Sequence, residues 1–341
     1  MECGFECLEF LKKQHSYQMK KLVTIMNKKT TIMKFFFLII FLISVPSAYP
    51  QQNLQRLGKS GFTFLKLAPN ARAAALGDAY TALATDVYAM FWNPAGLTQI
   101  NKFAYGFSYG RWIVDSRLMS FAGAYKWGNN AVGLSIINFA PQEFEETTIA
   151  APEGTGRKIN VGDIAFGVAY AIQFTNKLSF GFKLHYIEET IDQDKASGFT
   201  IDFSTFYQTG FRDLVLAMSL KNFGPERKYL NESFKMPLLF NINTAMSFLG
   251  RRGDPMVLTI STESCFATDY RDRYHVGGEL WLMDVIALRG GYKFYYDLED
   301  YTLGAGLKMQ VAGNPITIDI AYSHVLSYFE APLRFSIGGE F

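Results

Sequence analysis

The sequence predicts an all-β transmembrane protein, an antiparallel outer-membrane β-barrel of about fourteen strands with a small helical plug segment at its N-terminus. Composition is the first observation behind this prediction: 49% of the residues are hydrophobic and 16% are aromatic, yet the mean hydropathy is only +0.04. Barrel strands that face lipid on one side and a lumen on the other alternate apolar and polar residues, which produces this balance. The other two observations are an apolar N-terminal run of signal-peptide length and a two-residue alternation that continues from Phe103 to the C-terminus.

The N-terminus carries an export signal. Residues 35–45 form a continuous apolar run that is too short to cross a bilayer as a helix but has the length of a signal-peptide core. Lysines precede the run, and the small residues Ser47 and Ala48 follow it, so cleavage after either one fits. Met26 would give a conventional start just before the basic residues. We therefore interpret residues 1–48 as a misannotated leader plus a signal peptide; a genuine long leader is the alternative.

The alternation after Phe103 predicts the barrel itself. One face of each alternating run is apolar and the other is polar, and runs of about ten residues match tilted strands that cross a membrane. The predicted strands are 103–112, 117–127, 131–140, 162–173, 178–190, 198–208, 212–223, 239–249, 255–265, 273–283, 285–295, 300–311, 315–328 and 332–341. They define a barrel domain over residues 103–341.

The lengths of the predicted connections sort by position in the chain. Links after even-numbered strands are mostly short, whereas the two longest links, 141–161 and 224–238, follow odd-numbered strands. Outer-membrane barrels have short periplasmic turns and longer outer loops, so this count predicts that the N- and C-termini are both periplasmic. A soluble β-sandwich or propeller, the alternative fold, has no reason to sort its loops in this way.

The last strand adds a barrel-assembly signal. Phe335, Ile337 and Phe341 share one face of this strand, and the chain ends on the aromatic Phe341. A terminal aromatic residue of this kind resembles the recognition signal of proteins that the outer-membrane assembly machinery inserts. A closing strand also satisfies its backbone groups by pairing with the first strand, as a lipid environment requires.

The polar faces of the predicted strands point to the lumen, and fourteen strands enclose more space than their own side chains can fill. Residues 49–102 are the candidate plug for this space, because their centre is rich in small residues and Asn70 is a fair N-cap after Pro69. A periplasmic arm outside the barrel is the alternative for this segment. The predicted luminal residues carry both signs of charge: Asp163, Lys183, His185, Asp202, Glu279, Arg289, Lys293, Asp319 and Arg334.

Two stretches of the N-terminal segment resemble the opening of the PorV/PorQ family. They read FLKLAPNARAAALGDAYTALA at 64–84 and FWNPAGL at 91–97. The Asn-Pro-Ala-Gly part is also similar to the N-terminal motif of FadL-type transporters, whose fold the family shares. The residues that we assign to this plug motif are Asn70, Arg72, Gly77, Asp78, Asn93, Pro94, Ala95 and Gly96.

The resemblance implies a role in the type IX secretion system of Bacteroidota and relatives. PorV-type barrels receive cargo that leaves the translocon, and PorQ-type barrels help to hold the attachment complex at the cell surface. The implied partners are outer-membrane lipid, secretion components and secreted cargo, with a monomeric barrel as the default state. The formal net charge of +2 gives no electrostatic reason to expect a nucleic-acid partner. The predicted mature chain is shorter than typical PorV proteins, and its motif is less like that of PorQ.

Two other functions remain open in the sequence. A FadL-like transporter of hydrophobic molecules would need an apolar pocket and a lateral opening, and a surface hydrolase would need a nucleophile with His185 or His275. Residues 106–110 fit the G-x-S-x-G pattern, but that chemistry needs a strand-to-helix elbow and the motif lies inside an alternating strand. We therefore predict a non-enzymatic protein with no catalytic, cofactor or metal site. Its expected working surfaces are the long outer loops, especially the acidic loop 141–161 with Glu143, Glu145, Glu146 and Glu153; an acidic loop that is simply solvated is the alternative.

Overall fold

The computed structural model describes residues 60–229, 232–251, 253–326 and 329–341, all of them within one compact unit, Gln55–Phe341. The predicted leader, signal peptide and cleavage site and the start of the predicted plug segment, 49–59, lie outside the described residues.

Fourteen strands form a closed antiparallel barrel, which confirms the predicted fold class. Two further pairs of short strands, β4–β5 and β10–β11, form hairpins in the connections. The strands are β1 (Phe103–Arg111), β2 (Arg117–Trp127), β3 (Asn130–Ala140), β4 (Phe144–Glu145), β5 (Lys158–Ile159), β6 (Val161–Gln173), β7 (Leu178–Ile191), β8 (Asp194–Gln208), β9 (Val215–Phe223), β10 (Arg227–Tyr229), β11 (Glu232–Phe234), β12 (Leu239–Leu249), β13 (Met256–Ala267), β14 (Arg273–Leu282), β15 (Ile286–Phe294), β16 (Glu299–Val311), β17 (Asn314–Val325) and β18 (Leu333–Glu340). Each of the fourteen predicted strands overlaps one barrel strand.

The connections divide the barrel into two ends. At the short-turn end the links are 128–129, 174–177, 209–214, 250–255, 283–285 and 312–313. At the long-loop end they are 112–116, 141–160, 192–193, 224–238, 268–272, 295–298 and 326–332. The two longest links lie at the long-loop end, as predicted. The two-residue link 192–193 departs from the pattern, and here β8 continues past the end of β9 to pair with β7 up to a tight turn.

The two faces of the wall differ in polarity as the alternation predicts. Outward-facing side chains such as Phe107, Leu134 and Leu303 are exposed and apolar, whereas the polar residues between them are buried. Eight of the nine predicted luminal residues are buried, and Asp163 is half-buried. Among the described residues, no helix is both long and apolar enough to pass through a bilayer.

The seam of the barrel is closed by the two terminal strands. β1 pairs with β18, and beyond this ladder Phe341 N donates to Phe103 O at 2.8 Å while Phe103 N donates to Phe341 O at 3.2 Å. The Phe341 ring also lies 6.1 Å from the Phe103 ring and 5.6 Å from the Tyr105 ring. Phe335, Ile337 and Phe341 all face outward and are exposed.

Deletion of Phe341 is expected to reduce the fraction of folded barrel. Two ring contacts, each worth about 0.5–1.5 kcal/mol, and two backbone hydrogen bonds at the seam are lost together. Heat-modifiability on gels measures the folded fraction in outer-membrane extracts. Phe174→Ala is the matched control, because Phe174 is an exposed aromatic residue at the same end of the barrel but away from the seam. An unchanged folded fraction after Phe341 deletion would contradict its assignment as an assembly signal.

The N-terminal segment, residues 60–102, contains only short helices. These are a 3₁₀ helix at Thr63–Lys66, α1 at Ala71–Ala75, α2 at Ala89–Trp92 and a second 3₁₀ helix at Pro94–Gln99. The predicted helical stretch after Asn70 gives one turn, because Gly77 and Asp78 have φ of 61° and 67° and reverse the chain.

Asn70 occupies the N-cap position of α1 but does not cap it with its side chain. Its Oδ1 instead accepts a hydrogen bond from Trp92 Nε1 at 2.8 Å. A barrel residue supplies an acceptor to the helix N-terminus, since Ala71 N donates to Ser336 Oγ at 2.7 Å. The predicted N-cap position of Asn70 is therefore confirmed, but its side chain joins two parts of the segment instead of capping the helix.

The N-terminal segment runs from the long-loop end to the short-turn end. Its first described residues contact the loops 224–238 and 268–272, and its last residues contact the short-turn ends of β2, β7 and β8. The described chain therefore begins and ends at opposite ends of the barrel. The prediction that the N-terminus is periplasmic concerns residues outside the described part. The count of strands could not have placed a segment that precedes the first strand.

Candidate functional site: the N-terminal segment and the barrel wall

Hydrogen bonds and ion pairs connect the N-terminal segment to inward-facing residues on many strands of the ring. Its partners on the wall are Ser120 of β2, Ser179, Lys183 and Glu189 of β7, Ser204 and Thr205 of β8, Asn243 of β12, Glu263 of β13, Glu279 of β14, Lys293 of β15, Thr302 of β16, and Arg334 and Ser336 of β18. These strands lie on all sides of the closed barrel. The segment is thus attached to the wall in many directions.

Arg72 is the centre of a buried charge cluster. Its Nε and Nη2 donate to the two carboxylate oxygens of Glu279 at 2.9 and 2.8 Å, and its Nη1 donates to Asp86 at 3.1 Å. Arg289 donates to the same Glu279 at 2.6 Å and to Asp319 at 2.6 Å. Bidentate arginine–carboxylate pairs have strict geometry, so this cluster fixes the position of α1 relative to β14 and β15.

Asp78 and Gly77 form the second attachment of the predicted motif. Asp78 Oδ2 lies 2.6 Å from Lys293 Nζ, which also donates to Glu299 at 2.9 Å. At Gly77 a Cβ atom would lie 2.9 Å from the backbone nitrogen of Tyr292. A side chain at this position would thus meet the wall in addition to the strain of its positive φ.

The Asn93-Pro94-Ala95-Gly96 turn forms the third attachment. Asn93 Nδ2 donates to the carbonyls of Thr81 at 3.0 Å and Thr205 at 3.2 Å, and Ala95 N donates to Ser204 Oγ at 3.0 Å. Pro94 starts the second 3₁₀ helix, where its missing N–H has no consequence. A Cβ atom at Gly96 would lie only 1.8 Å from the carbonyl oxygen of Ala84. The turn therefore joins both halves of the segment to β8.

The structure brings seven of the eight predicted motif residues into contact with the wall or with each other, and Asn70 bonds to Trp92 within the segment. It also assigns positions that the sequence did not. Glycines of the wall let the backbone of the segment come close. A Cβ atom added to Gly181 would lie 2.1 Å from Ala95 N. A Cβ atom added to Gly291 would lie 2.2 Å from Gly77 N, and one added to Gly277 would lie 2.5 Å from Leu76 O. Their signal in the sequence was a glycine at an inward-facing strand position, where a larger residue would otherwise be expected.

Tyr88 and Glu263 are two further positions that the sequence did not reveal. The Tyr88 hydroxyl lies 2.9 Å from the carbonyl oxygens of both Phe107 and Ile337, next to the seam. Glu263 accepts hydrogen bonds from the backbone nitrogens of Tyr80 and Thr81 at 3.1 and 3.2 Å. Neither residue belongs to a recognisable motif, and Tyr88 binds backbone carbonyls, which have no sequence signature.

Little open space is left beside the segment. A cavity of about 40 Å³ lies in the half of the barrel nearer the long loops, and its lining includes Lys183, His185, Lys221, Glu263 and His275. This volume holds only a few water molecules, and apolar residues such as Phe91 and Trp92 share the lining with the polar ones. A larger groove of about 430 Å³ is apolar but lies on the lipid-facing side of β6–β9 and β12, where Phe182, Phe203 and Met218 line it.

Basic residues pair with some of the acidic side chains of loop 141–160. Lys158 Nζ pairs with Glu143 at 2.6 Å, and Arg157 lies 3.9 Å from Glu146 and also pairs with Asp192. Hydrogen bonding to Lys158 and its positive charge lower the pKa of Glu143, and the same pair raises the pKa of Lys158. The basic residues of the hairpin thus neutralise much of the predicted acidic surface.

The residues that suggested enzyme chemistry have other partners. Ser108 lies within β1, where its hydroxyl donates to Phe335 O at 2.9 Å and accepts from Ser336 Oγ at 2.9 Å. His185 pairs with Asp202 at 2.9 Å, and His275 lies 3.0 Å from the Tyr296 hydroxyl. Cys3 and Cys7 lie outside the described residues. Within the described ranges, no group of three or more His, Cys, Asp or Glu side chains is placed to hold a metal ion.

Comparison with known proteins places the chain in a family and a fold. A family model described as type IX secretion system protein PorV matches residues 50–249. No curated protein matches the sequence. The fold is similar to that of the Ralstonia pickettii toluene transporter TbuX, with 13% sequence identity and a TM-score of 0.58 over 83% of this chain and 98% of that one. It is also similar to that of the P. putida toluene transporter TodX, with 11% identity and a TM-score of 0.57 over 80% of this chain and 98% of that one. A Pseudomonas aeruginosa FadL homologue is similar too, with 12% identity and a TM-score of 0.50 over 80% of this chain and 98% of that one.

Proposed function

This chain belongs to the PorV family of type IX secretion system proteins, and from that premise we propose that it is a non-enzymatic accessory in type IX secretion or in the surface attachment of cargo. In this proposal the barrel resides in the outer membrane with its long loops outside the cell, after export by a cleavable signal peptide. The N-terminal segment acts as a plug, and the partners are secretion components and cargo.

The filled state of the barrel interior is the observation that carries the proposal. Small-molecule sites usually have volumes of about 300–1,000 Å³, whereas the cavity beside the segment has about 40 Å³. A barrel whose interior is occupied by its own chain works through the surfaces that it presents. The engaged hydroxyl of Ser108 supports a non-enzymatic role in the same way.

A strain that lacks this protein is expected to retain secreted proteins with type IX sorting domains in its periplasm. The measurement compares the protein profiles of periplasm, cell surface and medium between the deletion strain and its parent. Complementation with the wild-type chain should restore the parental profile, which separates the loss of this protein from effects on neighbouring genes. Unchanged profiles would contradict the proposed role.

Transport of hydrophobic molecules is the second candidate, and the similarity of fold to TbuX and TodX, which are named as toluene transporters, favours testing it. The apolar groove of this chain lies on the lipid-facing wall and not beside the N-terminal segment. If the secretion profile is unchanged, uptake of labelled fatty acids and aromatic hydrocarbons by the same two strains decides this alternative.

A further inference from the structure

The path of the N-terminal segment has a consequence for the surface of the barrel. At the long-loop end, Lys66 Nζ pairs with Asp269 at 2.6 Å, and Ser60 Oγ donates to the same carboxylate. Gly61 N donates to Lys235 O at 3.2 Å, and the Phe62 ring packs edge-on against the Phe234 ring with a centroid distance of 5.2 Å. Two long loops, 224–238 and 268–272, therefore hold the leading end of the segment.

The trailing end of the segment has its contacts at the opposite end of the barrel. The Thr98 and Ser179 hydroxyls are 2.8 Å apart at the first residues of β7, and Gln208 donates to Gln99 at 2.9 Å at the last residue of β8. Lys126 Nζ donates to the carbonyl of Ile100 at 3.0 Å. All three wall residues adjoin short turns.

Between its two ends the segment contacts the wall at intermediate positions. Arg72 pairs with Glu279 and Thr81 bonds to Glu263, and both carboxylates lie in the middle of their strands. Residues 60–102 thus cross the barrel once, in one direction.

We infer that the leading end of the segment is displayed at the cell surface through Thr63 and forms a composite face with Lys235 and loop 268–272. This inference rests on the proposed orientation with the long loops outside. It adds the leading end of the N-terminal segment to the surface that meets exported polypeptides. An exported polypeptide at the long-loop end would therefore contact the N-terminal segment directly. Thr63 is an exposed residue of this face.

Cysteine labelling on intact cells tests the inference. The single-site variants are Thr63→Cys on the segment, Ile149→Cys at the tip of the longest loop and Asn129→Cys in a short turn, all three at exposed positions. The probe is a membrane-impermeant maleimide, applied to intact cells and to cells with a permeabilised outer membrane. The parent chain gives the background, because Cys265 is buried and a buried thiol is inert.

Thr63→Cys and Ile149→Cys are expected to label in intact cells at about tenfold the parental background, since exposed thiols react and buried ones do not. Asn129→Cys should label only after permeabilisation. If Ile149→Cys labels in intact cells but Thr63→Cys labels only after permeabilisation or not at all, the inference is overturned while the orientation stands. If Asn129→Cys labels in intact cells and Ile149→Cys does not, the orientation in the proposed function is wrong as well.

Discussion

Glu279→Gln is expected to lower the free energy of unfolding by about 3 kcal/mol, near the low end of the range for breaking a buried ion pair. Glu279 accepts from Arg72 and Arg289 with almost no solvent exposure, and a neutral amide cannot balance two guanidinium charges. The effect does not reach the top of the range, because Arg72 keeps Asp86 and Arg289 keeps Asp319. Urea unfolding of the purified protein in detergent, followed by tryptophan fluorescence, measures the change.

Asp284→Asn is the matched control for Glu279→Gln. Asp284 also forms an ion pair, with Lys308 at 2.7 Å, but its side chain is 67% exposed. Exposed ion pairs contribute about 0–1 kcal/mol, and asparagine tolerates the positive φ of this position as well as aspartate does. Equal effects of the two substitutions would show that burial of the Arg72–Glu279–Arg289 cluster does not stabilise the barrel.

Gly96→Ala is expected to displace the N-terminal segment and to open the barrel to ions. The new Cβ would lie 1.8 Å from Ala84 O and 3.3 Å from Ala89 Cβ, and overpacking of this kind costs about 1–3 kcal/mol or more. The barrel strands should still pair, because Gly96 belongs to none of them. Planar-bilayer recordings are expected to show conductance steps with the variant and none with the parent chain.

Gly278→Ala is the control for Gly96→Ala, because Gly278 lies on a barrel strand with no atom within 4 Å of an added Cβ. Heat-modifiability on gels establishes first that both variants contain folded barrels. A folded Gly96→Ala barrel that is as silent as the parent would mean that this turn does not hold the segment in place. A Gly96→Ala chain that fails to fold would contradict the prediction that the strands pair without it.

The fold of the wall was predictable from the sequence, because a closed membrane barrel repeats one local rule in every strand. Each strand must put apolar residues toward lipid and polar residues inward. Phe103 and Arg334 could therefore be placed on opposite faces from their positions in the two-residue alternation alone. In the same way, the lengths of the loops predicted which connections lie together at each end of the barrel. The hairpins β4–β5 and β10–β11 were missed, since they are short and lie in the connections, where residues follow no such rule.

The site was only partly predictable, because its contacts join positions that are far apart in the chain. The motif around Asn93 was recognisable as a string, and so was the helix-prone stretch after Asn70. The acceptors of Tyr88 are backbone carbonyls, which have no sequence signature. Nor does the sequence give the direction of the segment, because the pairing of Lys66 with Asp269 depends on the three-dimensional path alone.

The single passage of the N-terminal segment through the barrel ties the segment to the ring. The ring of strands is closed by backbone pairing between β1 and β18, and bulky residues such as Phe62 and Tyr80 lie on the passing chain without exposure to solvent. The Arg72 cluster and the turn at Asn93 attach that chain to the wall. The segment is therefore enclosed on all sides, and it can leave the native barrel only after these contacts break.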